Sequence, residues 1–169
     1  MEEGIDSHLI IIADANILIN FIRINALYLL ENLPEKKFGI TPAVYEEILP
    51  GRGRERVDEA IQKGAIKVYR VESSQALALF YRYTETFGIG EASCLALAKE
   101  QGWILATDDR QCRNLAAKEI GKSRITGTVD LIRDAIETAL LTITEADQLL
   151  VLLEKENFKV KFKSFKEIL

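Results

Sequence analysis

Residues 8–18 read HLIIIADANIL, a short apolar run that ends on a carboxylate and passes at once into a helical pattern. The run His8–Ala13 is rich in β-branched residues and has no polar alternation, which suits a strand covered on both faces. Asn16 to Leu33 then sets Ile17, Phe21, Ile24 and Leu27 at helical spacing. The same arrangement recurs downstream: Trp103–Thr107 (WILAT) reads as a strand and Arg110–Glu119 as a helix, with Asp108 and Asp109 at the junction. Phe38–Ile40, Ile66–Val71 and Ser123–Thr126 are further strand candidates. Thr41 and Pro42 read as a helix cap and first helical residue, and that helix stops near Leu49, before Pro50 and Gly51. Helices are also expected over Glu55–Lys63, Ser73–Phe87 and Gly90–Gln101. Such alternation implies an α/β fold, a parallel sheet with helices on both faces. Ligands in open sheets of this kind bind beyond the carboxyl ends of the strands. After Gly127 the pattern is helical only, over about Thr128–Leu140, Glu145–Glu156 and Phe165–Leu169.

The length of 169 residues suits one domain with a small appendage. Hydrophobic residues at 48% and charged residues at 28% are an ordinary globular balance, which excludes disordered and fibrous chains. Asp14, Asn16 and Asn20 interrupt the most apolar window, so no membrane span is expected. The acidic start Met1-Glu2-Glu3-Gly4 lacks the basic lead of a secretory signal, and a cytoplasmic protein is expected. Cys94 and Cys112 have no metal or redox spacing and read as reduced core thiols. The single histidine, His8, cannot build a histidine-rich zinc site. A net charge of −4 argues against a nucleic-acid coat protein, but leaves room for an enzyme with an acidic site and a basic rim.

Several acids stand at strand ends or helix ends. Asp14, Asp108 and Asp109 each precede a helix, where an isolated Asp is often only a cap. Strand ends lying side by side would bring them into one crevice. Glu91 opens a helix, where the dipole favours it, yet Leu95 and Ala98 put it at the end of an inward face. Glu46 and Glu47 lie at a helix C-terminus, which disfavours acids. Glu47 borders the face of Val44 and Ile48, whereas Glu46 points away and reads as a solvated charge. Acids gathered in one apolar crevice cannot all stay ionised unaided. A hard divalent cation, Mg²⁺ or Mn²⁺, offsets their repulsion most simply and suits phosphodiester hydrolysis.

With these residues in place, the chain resembles the PIN-domain ribonucleases. The resemblance is carried by Ala13-Asp14-Ala15-Asn16-Ile17-Leu18, by the helix from Thr41 to Leu49, by Gly90-Glu91-Ala92 and by Thr107-Asp108-Asp109-Arg110, in that order. It implies a three-layer α/β/α fold with a five-stranded parallel sheet in the order 3-2-1-4-5. It further implies a metal site of Asp14, Glu47, Glu91 and Asp109 that is also the catalytic set. The family usually has Thr-Asn-Asp where this chain has Thr107-Asp108-Asp109, so Asp108 stands in for Asn or is a further ligand. Asn16 and Thr107 match positions that orient the acids. The implied reaction is metal-dependent RNA cleavage leaving a 5′-phosphate and a 3′-hydroxyl. Gly127-Thr128-Val129 and the helices after it resemble the VapC-like toxins of type II toxin–antitoxin pairs, which implies a homodimer and an antitoxin partner. The expected division is a nuclease domain over residues 1–130 and a helical C-terminal extension over 131–169, packed on the same domain.

Basic residues close to the acids are candidate RNA contacts: Arg52, Arg54 and Arg56 in a glycine-containing loop, and Arg110 and Arg113 after Asp109. The tail interleaves Lys159, Lys161, Lys163 and Lys166 with Phe158, Val160, Phe162 and Phe165. It reads as an edge segment whose apolar side packs on the domain, in preference to an RNA-binding strip. Phe80, Tyr81 and Tyr83 read as a helix surface or a dimer contact. Two other functions compete. One is a PIN-like scaffold that binds RNA or protein without cutting. The other is a haloacid-dehalogenase-type phosphatase with Asp14 as nucleophile, against which Asn16 stands where that family has a second Asp.

Overall fold

The computed structural model describes residues 9–169; His8 and the segment Met1–Gly4 lie outside the described residues. Five strands form one parallel sheet: β1 (Leu9–Ala13), β2 (Lys36–Ile40), β3 (Ile66–Val68), β4 (Ile104–Ala106) and β5 (Ile125–Thr126). Their order is β3-β2-β1-β4-β5, as the resemblance implied. The central strand explains itself: Ile11, Ile12 and Ala13 are all buried, because helices cover both faces.

The connecting helices are α1 (Ala15–Arg23), α2 (Leu27–Asn32), α3 (Pro42–Glu47), α4 (Arg52–Gln62), α5 (Ser74–Tyr83), α6 (Ile89–Gln101) and α7 (Arg110–Glu119). Helices α8 (Thr128–Glu137) and α9 (Ile143–Lys155) follow β5, and a short 3-10 turn, Phe165–Glu167, ends the chain. Helix α6 is the hub. Every residue from Ala92 to Ala98 is buried, so it is apolar all round rather than striped. It packs on β1 and β4, with α3, α5 and α7 around it. Helices α1, α2 and α8 pack together, and α9 packs on α1 and α8.

Several details differ from the sequence expectation, beginning with the strand expected over Ile66–Val71, which is Ile66–Val68, and the helix expected over Ser73–Phe87, which ends at Tyr83. The helix expected over Asn16–Leu33 is two helices, because Asn25 adopts a left-handed conformation (φ 53°) and Ala26 N–H bonds back to the Phe21 carbonyl at 2.8 Å. Arg52, Arg54 and Arg56 lie in the first turns of α4, not in a loop. Tyr83 is not on the surface: it is buried, and its hydroxyl donates to Glu119 at 2.7 Å. The helix placed near Leu49 stops at Glu47. No helix among the described residues is long and apolar enough to cross a membrane.

The tail is tied to the body by specific bonds. Thr142 and Glu145 form a reciprocal capping box that starts α9. Asp147, one turn further on, accepts from the Ser164 hydroxyl at 2.7 Å and from Phe165 N–H at 2.8 Å. Phe165 is fully buried and meets Phe162 edge-on at 5.3 Å. Lys159, Lys161, Lys163 and Lys166 stay exposed, while Phe158, Val160 and Phe162 pack on the core, as the alternation suggested. Replacing Phe165 by Ala is expected to cost about 3 to 5 kcal/mol of unfolding free energy, read by chemical denaturation. An unchanged midpoint would show that the tail is not part of the cooperative unit.

Candidate active site

Strands β1 and β4 are neighbours, and Ala13 pairs with Ala106 in register. The next residue of each strand therefore emerges at the same level: Asp14 from β1 and Thr107 from β4. Asp14 N–H still bonds to the Ala106 carbonyl at 3.0 Å, so the ladder holds up to the acid. Its carboxylate caps α1, accepting from Ile17 N–H at 3.2 Å. The other oxygen accepts from the Thr107 hydroxyl at 2.5 Å. Thr107 Oγ1 in turn accepts from Asp109 N–H at 3.2 Å, and the Asp109 carboxylate caps α7 through Cys112 N–H at 2.7 Å. One hydroxyl thus fixes two candidate acids, and both are also helix caps.

Glu91 enters from the first turn of α6 and is half-buried. Glu47 enters from the last residue of α3. Two buried hydroxyls bring these helices together. Thr41, the cap of α3, shares a 2.8 Å hydrogen bond with Ser93 of α6, and Ser93 donates to the Gly90 carbonyl at 2.7 Å. Gly90 completes the approach: a Cβ there would lie 2.8 and 3.0 Å from the Glu47 carboxylate oxygens. The absent side chain is the space that Glu47 occupies. Ser93 had no signal beyond its place three residues after Gly90.

The electrostatics record the convergence. Asp14 is only 2% exposed, and burial raises its pKa to about 6 despite the lowering bonds from Thr107 and Ile17. The Asp108 charge raises it further. Burial raises Glu91 to about 7, and Asp109, Asp14 and Glu47 add their repulsion. The thiol of Cys112 is pushed up to about 12, first by burial and then by Glu91, Asp14 and Asp109. The four acids Asp14, Glu47, Glu91 and Asp109 therefore share one field. Glu46, by contrast, has a side chain 75% exposed and stands 3.8 Å from Arg54, as a solvated charge would.

Other candidates have different surroundings. Asp108 accepts from Thr128 N–H at 2.9 Å, from the Thr128 hydroxyl and from Asn20 Nδ2 at 3.0 Å. It clamps the start of α8 to the sheet while still bordering the cleft. Gly127 makes room for it, since a Cβ there would meet the Asp108 oxygen at 2.6 Å. Asn20 was missed by sequence reasoning; its signal was the one-turn spacing from Asn16. The Asn16 side chain is exposed at the cleft, and it is the Asn16 backbone N–H that lowers the pKa of Asp14. Arg113 turns inward and donates to the Thr107 and Thr126 carbonyls at 2.8 and 3.1 Å. Arg54 lies over the Tyr45 ring and donates to the Tyr45 carbonyl at 3.1 Å. Arg52 and Arg56 line a separate concavity with Ile22 and Asn25. Arg110 is exposed beside Asp109.

A family model described as DUF3368, a PIN domain, matches residues 10–169. The chain belongs to the PIN domain family. PIN domains are generally nucleases, and this PIN domain has the corresponding nuclease fold. Among solved structures, it is similar to the crystal structure of PAE2754 from Pyrobaculum aerophilum, with 17% identity and a TM-score of 0.50. That match covers 79% of this chain and 95% of the other, and at this identity it concerns the fold alone. No curated protein matches the sequence.

PIN domains generally use Mg²⁺ or Mn²⁺, and the residues present can be tested against such an ion. Among the described residues, no three His, Cys, Asp or Glu side chains are arranged to enclose a metal as they stand. Mg²⁺ keeps several waters and takes only one or two carboxylates directly, so an open set of acids suits it better than a closed cage. Both nearby thiols have raised pKa values and stay protonated, which leaves oxygen donors only. The donor set fits a hydrated hard cation.

A carboxyl whose pKa is raised on folding contributes stability below its unfolded pKa and loses it as pH rises through the folded value. For Asp14 and Glu91 that window runs from about 4 to about 7. Metal-free Asp14→Asn is therefore expected to be more stable than wild type at pH 7.5, by at most about 3 kcal/mol, with the gap closing toward pH 4. Thermal melts in chelator check this; equal melting temperatures at pH 7.5 would contradict it. Gly90→Ala should leave the melting temperature unchanged or higher, because alanine favours a helix by about 0.8–1 kcal/mol. It should displace the flexible Glu47 carboxylate and shrink the thermal shift caused by Mn²⁺.

Proposed function

We propose that this PIN domain is a divalent-metal-dependent RNA endonuclease. The observation that carries the reading is the convergence of Asp14, Asp109, Glu91 and Glu47 on one field at the carboxyl ends of β1 and β4. In this reading the four acids hold Mg²⁺ or Mn²⁺, which when bound would supply the activation of water and the neutralisation of phosphate charge. The protein's own part is preorganisation. Thr107 holds the Asp14 carboxylate and the Asp109 backbone in one relation, so neither has to reorient as substrate arrives. Glu91, raised to about 7 by burial and by its acidic neighbours, is partly protonated at neutral pH, and the charge of a bound cation would favour its carboxylate. In this reading Arg110, exposed and next to Asp109 in the chain, would meet an RNA phosphate.

The reading extends to the role of toxin in a type II pair, a cytoplasmic homodimer restrained by an antitoxin whose segment covers the acidic cleft. Support for this comes from Gly127-Thr128-Val129 and the helices after it, which resemble the VapC-like chains. Induced expression of the wild type should halt growth, and expression of Asp14→Asn should not.

Incubation with a mixed RNA pool and Mg²⁺ or Mn²⁺ is expected to give cleavage that chelator abolishes. Thr107→Ala supports rather than forms the site and should lose about 10- to 100-fold. Asp14→Asn should lose more than that. Full activity of Asp14→Asn would overturn the residue assignment.

A further inference from the structure

The cleft that receives Asp109 has two sides of different origin. Its floor is Asn16 and Asn20 from α1 with Asp108 and Asp109 after β4, and its far wall is the chain from Glu156 to Lys159, just past α9. The concavity measures about 340 Å³. The tail thus shares a concavity with Asp108 and Asp109, in addition to packing on the domain.

The wall is held in a defined place. After α9 the chain reverses through Asn157, whose φ of 64° is left-handed. Asn157 N–H bonds to the Glu154 carbonyl at 3.1 Å and Phe158 N–H to the Leu153 carbonyl at 3.0 Å. Phe158 packs on the core, and the buried Phe165 and its Asp147 bonds anchor the chain further on. Between these anchors Lys159 stands exposed at the cleft. The neighbouring charge in the wall, Glu156, faces Arg23 at 3.8 Å, whereas Lys159 has no ion-pair partner among the described residues.

An RNA strand approaching Asp108 and Asp109 is a polyanion meeting carboxylates. A cation lining the same concavity, with no ion-pair partner among the described residues, offsets that repulsion and offers three N–H donors to a phosphate oxygen. We propose that Lys159 binds a backbone phosphate of the RNA strand as it lies between the β4 acids and the C-terminal wall. Lys159 is then a substrate-binding residue that the helical tail adds to the cleft. The proposal rests on the ribonuclease reading above.

The test has two readouts. Wild type, Lys159→Ala, Lys159→Arg and Lys166→Ala, the last changing a tail lysine outside the cleft, are compared for metal-dependent cleavage of the RNA pool. The three lysine changes are then placed in an Asp14→Asn background, and binding of a short fluorescein-labelled single-stranded RNA is followed across a salt series. Lys159→Ala is expected to weaken binding about 3- to 10-fold and to reduce the salt slope by about 0.7, the value for one phosphate contact on a single strand. Lys159→Arg should keep both, and Lys166→Ala should change neither. A cleaving wild type with unchanged affinity and slope in Lys159→Ala would overturn the proposal alone. Equal losses in Lys159→Ala and Lys166→Ala would overturn it in favour of a diffuse charge effect. A wild type that neither cleaves nor binds RNA would overturn the ribonuclease reading and this proposal with it.

Discussion

The acid cleft depends on one hydrogen bond, from the Thr107 hydroxyl to the Asp14 carboxylate. It exists because β1 and β4 are adjacent and pair in a register that ends both strands at the same height. A shift of one residue along either strand would turn one of these side chains to the opposite face. The order of the sheet, in which the first and fourth strands meet at its centre, is therefore a precondition for the chemistry as well as for the packing.

Placing a carboxylate at that spot opposes stability. Asp14 is almost wholly desolvated, and its hydrogen bonds only partly offset the effect. The fold accepts this cost because the Ile17 bond starts α1 and the Thr107 hydroxyl, which also accepts from Asp109 N–H, ties Asp14 to the loop into α7. Close approach of α3 to α6 adds the remaining acids. Thr41 and Ser93 bind the two helices, and Gly90 leaves the volume that Glu47 fills. Small residues at this contact let the C-terminal end of α3, which carries Glu47, approach the N-terminal end of α6, which carries Glu91.

The C-terminal region is joined to the cleft through a different set of contacts. Asp108 holds the start of α8 by the Thr128 backbone and hydroxyl, and Asn20 links both to α1. Helix α9 packs on α1 and α8, and the chain after it turns back to the cleft mouth. The residue next to the candidate ligand Asp109 thereby connects the acid site to the helices that supply its far wall.

The alternation of apolar runs and helical spacing in residues 8–130 determined the α/β class and the acids at strand and helix ends, and the helical spacing after Gly127 determined the helical C-terminal quarter. These are local properties, since period and capping preference are written in neighbouring residues. The strand order came from the likeness of four short motifs to a family, because no local pattern specifies which strands lie side by side. Tertiary structure alone decided the rest. Arg113 and Tyr83 turned inward because the Thr126 carbonyl and Glu119, 13 and 36 residues away, accept their hydrogen bonds. Asn25 broke a helix that periodicity would have continued, since the chain had to reverse to bring Ala26 back on Phe21. Ser93 and Asn20 gained their roles from partners 52 to 108 residues away, and Lys159 from a cleft assembled by distant segments. A sequence records what each residue is and who its neighbours are; which distant groups share one dielectric and one cleft is settled only when the sheet closes and the helices dock.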